Sequence, residues 1–296
     1  MRDLAQEFNP TRYVRKKVNV SYHVTKWLVF AIFGIYAVSL IFPFLWMTIN
    51  SLKTTGDFSG GNYFGFPKEF AFQNFIEVLS TKVGNETIGM MFIMSVITTI
   101  LGTLVNVGFS ACVAYVIAKF KFPCRGVIYG VAIFTMVVPI VGTLPAQVSM
   151  MQTFHLDNSL LGVLFLYSGC FGFNFILLYS AFSSISDSYI EAASVDCAGR
   201  FKTFFKVMLP MAKGPIIAAS ILTAIGYWND YQTPFLYLPE DMQTLAVGLQ
   251  NFQAQNGASY PLKFASMLIS IIPILIIYLI FQKRIIESTN AGGLKG

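Results

Sequence analysis

From Glu191 to Pro210 the sequence reads EAASVDCAGRFKTFFKVMLP, and its ionisable residues, Glu191, Asp196, Arg200, Lys202 and Lys206, stand between two long apolar runs. The two carboxylates can pair with arginines of another protein, and the alanines leave room for a close approach. Ser188-x-x-Glu191 has capping-box spacing, which predicts a helix starting at Ser188. Ile190, Ala193, Ser194 and Cys197 recur at i, i+3, i+4 and i+7, giving that helix one face of small or apolar residues. The helix is expected to include Cys197 and to end near Gly199. Arg200 to Val207 can form a second short helix, stopped by Pro210. Two uses fit such a segment: a helix lying on the inner face of a bilayer, or a handle for a partner protein.

Other chemistry is missing. No Gly-x-x-x-x-Gly-Lys-Ser/Thr, His-Glu-x-x-His or Gly-x-Ser-x-Gly occurs. His23 and His155 have no carboxylate or cysteine at ligand spacing, so no metal site is expected. Cys112, Cys124, Cys170 and Cys197 form no CxxC pair and read as small buried hydrophobes. The chain is expected to be no enzyme and to hold no cofactor. Within the apolar runs the one ionisable residue is Asp230, in YWNDYQTP. Trp228, Asn229 and Asp230 are either a headgroup anchor or part of a pore or outer gate. An ion-coupled transporter working alone keeps several charges inside its bundle. This chain reads instead as a conduit whose energy comes from a partner.

The elements that position these residues are membrane spans. Of 296 residues, 55% are hydrophobic and 11% charged, against about 25% charged in a soluble domain. Six apolar runs, 27–49, 87–118, 126–154, 158–186, 214–236 and 264–282, each exceed the ~18 residues needed to cross a bilayer. The expected fold is an all-α polytopic membrane protein with six transmembrane helices. Pro43, Pro139, Pro145 and Pro273 are expected to kink or break the runs that hold them. Residues 1–26, the loops 119–125 and 187–213 and the C-terminal tail carry sixteen of the twenty Lys and Arg. By the positive-inside rule both termini and the opening segment are cytoplasmic. The net charge of +6 is then the charge that fixes topology and needs no nucleic acid. Residues 1–26 are expected to form a cytoplasmic arm rather than a cleaved leader, 27–286 the transmembrane domain, and 287–296 a cytoplasmic tail. The larger external segments are roughly 50–86 and 237–263.

The charged segment resembles the EAA coupling motif of ABC importer permeases at Glu191, Ala192, Ala193, Asp196, Ala198, Phe204, Leu209 and Pro210, with Cys197 at the family's glycine. NSLKTTGDF, FPKEFAFQNFIEVL (66–79), AYVIAKFKFPCRG (114–126), HLDNSLLGVLFLY (155–167), WNDY (228–231) and the ending FQKRIIESTNAGGLKG resemble carbohydrate permeases, closest to the maltose-permease-like second inner-membrane subunit. The resemblance implies a type I ABC importer permease fold in a bacterial inner membrane. It implies a sugar importer driven by ATP and Mg on a partner ATPase dimer, with a second homologous permease and an extracytoplasmic sugar-binding protein. Glu191, Ala192, Ala193, Asp196, Cys197 and Gly199 would form the coupling helix. Gly292, Gly293, Lys295 and Gly296 would lie along the ATPase interface. Gln250, Asn251, Gln253, Asn256 and Tyr260, in an amide- and aromatic-rich external loop, would face the binding protein; a plain polar loop is the other reading. The sugar site of such a pore can sit mainly in the other permease. A secondary transporter, or an ABC permease for a non-sugar solute, is the alternative.

Overall fold

The computed structural model describes residues 20–138, 142–254 and 257–293, and side chains within 24–138, 142–254 and 257–282. The chain divides into two units, Met1–Met47 and Thr48–Gly296. The described part of the first is most of one helix, α1 (Val20–Ser51). It is apolar all round, as a span facing lipid must be, and runs unbroken through Pro43.

The second unit begins with an outer segment. This contains α2 (Thr55–Ser59), α3 (Gln73–Ser80) and a two-stranded antiparallel hairpin, β1 (Lys82–Val83) and β2 (Glu86–Thr87), in the register Lys82↔Thr87. Next comes α4 (Ile88–Lys119), whose first turn is capped by the Thr87 hydroxyl accepting from the Met90 N–H. At 1.5 Å per residue this helix is about 48 Å long. The chain continues through α5 (Arg125–Val137), α6 (Leu144–Thr153), α7 (Leu160–Tyr167), α8 (Phe173–Ser184) and α9 (Ser188–Val195). Then follow α10 (Arg200–Thr203), a π-helical turn (Phe204–Met208), α11 (Leu209–Met211), α12 (Lys213–Trp228), α13 (Gln232–Tyr237), α14 (Leu245–Ala254) and α15 (Tyr260–Gly293).

Three described helices are long and apolar enough to cross a membrane: Val24–Ser51, Ile88–Lys119 and Tyr260–Gln282. A fourth crossing is Arg200–Met211 with Lys213–Trp228 if that pair, bent by 80°, is one span. The other expected spans are not continuous. Run 126–154 is split into α5 and α6, 158–186 into α7 and α8, and 214–236 into α12 and α13. The prolines did not mark all the breaks. Pro273, like Pro43, lies inside an unbroken helix. Pro145 sits in the first turn of α6, where its missing N–H is harmless; Pro139 lies outside the described residues.

α4 is the axis on which the second unit packs. Near its C-terminal end Val107, Ala111, Ala114 and Tyr115 meet Phe175, Leu178 and Phe182 of α8 and Phe204 and Met208 of the π turn. Near its start Ile88 and Met91 meet Trp228, Leu245, Phe252 and Ile269. Between these, Gly102 lets the stacked rings of Tyr167 and Tyr227 (centroids 3.8 Å apart) lie on the helix backbone; a Cβ there would stand 2.6 Å from the Tyr167 ring. The four cysteines are free, and the reading of them as buried fails for Cys112, Cys124 and Cys197, which are exposed.

Candidate functional site

The EAA segment forms α9, which starts at Ser188 as its spacing predicts, but without the capping box. Ser188 lies inside the helix, and the residue before it is Asp187, whose carboxylate caps nothing. A capping box would need Ser188 at the N-cap; Asp187 holds that position, and its carboxylate is bonded to Lys119 at 2.6 Å. The other end also differs. Cys197 is not helical: its φ is +53°. Its N–H donates to the Ser194 carbonyl (3.1 Å) and the Ala198 N–H to the Ala193 carbonyl (2.9 Å), the two bonds of a Schellman cap. The helix ends at Val195, and Gly199 is extended (φ −63°, ψ 160°). Satisfying two orphan carbonyls outweighs the ~1–2 kcal/mol that a Cβ costs in left-handed backbone.

The face of small residues is also shared out differently. Ile190 and Ala193 are turned into the chain's own core, Ala193 being 7% exposed. The outward face carries Glu191, Ala192, Val195 and Asp196, all exposed. Val195 and, beyond the cap, Phe201 are 82% and 83% exposed, an unusual state for large apolar side chains.

Both flanks of α9 grip the end of α4. Before it, the Lys119 ammonium, its side chain 4% exposed, donates to the Ile185 carbonyl and to Asp187. After it, the Arg200 guanidinium lies 5.4 Å from the centre of the Phe120 ring. The Lys119 hydrogen bond and charge hold the Asp187 carboxyl below its ordinary pKa.

Halfway along the bundle lies a second polar site that the sequence reading missed. Between α7 and α8 the backbone is unwound, with Gly172 at φ +132°. Asn106 of α4 donates to the carbonyls of Tyr167 (2.9 Å) and Gly169 (3.0 Å), and Ser110 to that of Cys170 (3.2 Å). Asn174 donates to Asn106 Oδ1 and to Thr223 Oγ1, both at 2.7 Å. These groups and the rings of Phe171 and Phe173 line a cavity of about 230 Å³. Charge does not mark this site; its signal in the sequence is uncharged Asn and Thr inside apolar runs, beside the glycines of SGCFGFN.

The structure separates the three gate candidates. Asp230 sits at the α12–α13 break, accepting from the Tyr167 hydroxyl (2.9 Å) and the Thr233 N–H (3.1 Å), on the far side of that tyrosine from the cavity groups. Trp228 is buried against Phe92 and donates to the Ser270 carbonyl, so it is a packing residue. Asn229 is exposed and bonds its own helix at Ile225.

In the external loop, Gln250 and Asn251 are exposed on α14. Gln253 instead ties α14 to α15 through Lys263 and Ser266. Tyr260 opens α15, packed near Phe58; Asn256 lies outside the described residues. Gly292 and Gly293 end α15, while Lys295 and Gly296 lie outside the described residues. Among the described residues no cluster of ligands could hold a metal.

Within the outer segment, Lys53 is fully buried and donates to Asn50 Oδ1 (2.8 Å) and to the Asn62 carbonyl. Burial pushes its pKa down, and nearby Asp57 opposes this. Asn62 and the Lys68 N–H bond Asp57 and hold its carboxyl below the usual range. Asn74 closes the knot on the Ser51 and Lys53 carbonyls.

Comparison with known proteins agrees with this architecture. Residues 109–289 match the family described as the binding-protein-dependent transport system inner membrane component. The chain is 30% identical over 266 residues to the diacetylchitobiose uptake system permease protein NgcG of Streptomyces coelicolor, covering 88% of this chain and 86% of that one. It is 30% identical to the multiple sugar-binding transport system permease protein MsmG of Streptococcus mutans, covering 95% and 100%. A crystal structure of a bacterial ABC transporter that imports the acidic polysaccharide alginate superposes with a TM-score of 0.79 at 26% identity, over 89% of this chain and 97% of that one. A motif in the right loop, an axis helix with broken neighbours and a match over most of the length converge: the chain belongs to the family of inner-membrane components of binding-protein-dependent transport systems.

Proposed function

We propose that this protein is a permease subunit of an ATP-driven, binding-protein-dependent importer of sugars or oligosaccharides, forming half of a pore in a bacterial inner membrane. The observation that carries this is α9: a short helix with Glu191, Ala192, Val195 and Asp196 outward, both flanks fixed to α4, in a chain of this family. Exposed apolar and acidic groups side by side are what a partner's cleft would cover. The sugar-named relatives support the substrate class. In this reading each broken pair, α5–α6, α7–α8 and α12–α13, is one crossing. With the three long helices that makes six, and both termini are cytoplasmic. The loop 187–213 meets an ATPase dimer that uses ATP and Mg. The tail 287–296 lies along that dimer, and a second permease completes the pore. An external binding protein delivers sugar near Gln250 and Asn251.

The cavity at Asn106, Ser110, Asn174 and Thr223 is this subunit's share of the sugar path. Amides and hydroxyls flanked by aromatic rings suit a sugar's hydroxyls and its apolar faces. Unwound backbone at membrane depth is tolerated where it lines such a cavity.

The deciding experiment is Glu191→Ala in the complex reconstituted with its second permease, ATPase and binding protein. Losing one charge-assisted contact, about 1.5–3 kcal/mol, lowers binding-protein-stimulated ATP hydrolysis by roughly tenfold or more. Unchanged hydrolysis together with unchanged ATPase co-purification would sink the reading.

A further inference from the structure

We propose that Lys119 is the joint through which movement of the coupling helix reaches the unwound break between α7 and α8, with α4 as the rod between them. The inference rests on the reading of α9 as the coupling helix. Lysine at a helix end ordinarily serves that helix's own last carbonyls. Lys119 does not: its ammonium leaves α4 for Ile185 and Asp187, more than sixty residues along the chain. The end of α4 is capped instead by Arg125, which donates to the Ala118 carbonyl at 3.2 Å. Lys119 is therefore free to act as a link.

The link is two-sided. Asp187 immediately precedes α9, and Arg200 opens the element that follows it. These two residues hold consecutive residues, Lys119 and Phe120, so a displacement of α9 in either direction bears on the same point of α4. Tyr115, one turn up, packs against Phe120 (5.5 Å) and Phe204 (4.9 Å) and stiffens that point from inside. α4 is unbroken from there to Asn106, thirteen residues or about 20 Å away. Asn106 and Ser110 grip the carbonyls of Tyr167, Gly169 and Cys170 directly. A rigid helix held at one end by the coupling segment and bonded at mid-length to the irregular backbone is a continuous physical route between the two. Lys119 acts through the groups it holds, Ile185 and Asp187, and is a positioning residue.

A native thiol reports on the break. In the assembled complex, with Cys112, Cys124 and Cys197 replaced by serine, labelling of Cys170 by a maleimide is timed with and without ATP while hydrolysis is followed in the same sample. With Lys119 intact, ATP changes the labelling rate several-fold. Lys119→Gln keeps ATPase recruitment and hydrolysis, and ATP no longer changes the labelling rate. Lys119→Arg, which keeps donors for both the Ile185 carbonyl and Asp187, keeps the response. Should Lys119→Gln fail to assemble, Asp187→Asn decides: its side chain is 74% exposed, and it should reduce the ATP response at least twofold. An ATP response in Asp187→Asn or Lys119→Gln equal to that of the parent overturns the proposal. If Glu191→Ala abolishes stimulated hydrolysis while these variants behave as the parent, the joint fails and the coupling helix stands. If Glu191→Ala is also silent, the coupling-helix reading fails first.

Discussion

Lys53 and Lys119 both have buried side chains, and their surroundings differ. Lys53, in the outer knot, is held by a neutral amide and a backbone carbonyl, both within ten residues of it in the chain. Lys119, at the end of α4, is held by a carbonyl and an exposed carboxylate from a segment far along the chain. The first cation closes a local structure on itself. The second ties the end of α4 to the segment that leads into α9. A buried charge is costly in either place. What differs is whether its removal breaks a fold or a connection.

The largest expected effect tests the first half of that contrast. Lys53→Met removes the donor to Asn50 and Asn62 and should cost about 2–3 kcal/mol, read as a lower thermal midpoint and a several-fold lower yield of folded protein in detergent. An unchanged midpoint would erase the contrast with Lys119→Gln, which is expected to fold. The pH dependence has a definite sign. Burial lowers the pKa of Lys53, so the unfolded chain holds its proton more tightly. Stability gained from this group rises with pH from its folded pKa up to the ordinary value of about 10.4. The midpoint of the wild type should therefore climb relative to Lys53→Met over that window.

A neutral cluster sharpens the comparison, because it is closed yet faces a cavity. Thr223→Val keeps shape but removes the acceptor for Asn174. A loss of about 1–1.5 kcal/mol would lower transport of the cognate sugar by roughly tenfold, with little change in yield. If yield falls and flux per folded protein does not, the cavity belongs with the outer knot as structure alone.

The smallest effect lies at the α9 cap. Cys197→Gly relieves left-handed strain and should stabilise by up to about 1 kcal/mol, with hydrolysis retained. A destabilised Gly variant would show that the thiol, not the backbone, secures that turn.

Much of this was legible in the residues. The boundaries of α4, expected as 87–118, fall one residue from those observed, because an uninterrupted apolar run has few competing folds in lipid. The loop holding α9 stood out by charge. The breaks did not, because hydropathy registers an unwound Gly-Cys-Phe-Gly as apolar whether or not its carbonyls are helical. Asn106 and Asn174 are illegible for the same reason: two amides barely change the polarity of a span, and their value appears only when they meet. The expectation that Cys197 is helical follows from the cost of left-handed backbone to a cysteine; two hydrogen bonds at the end of an eight-residue helix outweigh that preference.

The grip of Asn106 and Ser110 on the later break also sets an order of assembly during synthesis. Domains and their parts emerge from the ribosome N-terminal first. Bare carbonyls at membrane depth are expensive, and the donors that cover those of Tyr167, Gly169 and Cys170 sit on α4, some sixty residues earlier. By the time the jointed segment reaches the bilayer, the helix that completes it is already there. A circularly permuted chain that delivered α7 and α8 before α4 would present the translocon with an unsatisfied strand and would be expected to be degraded.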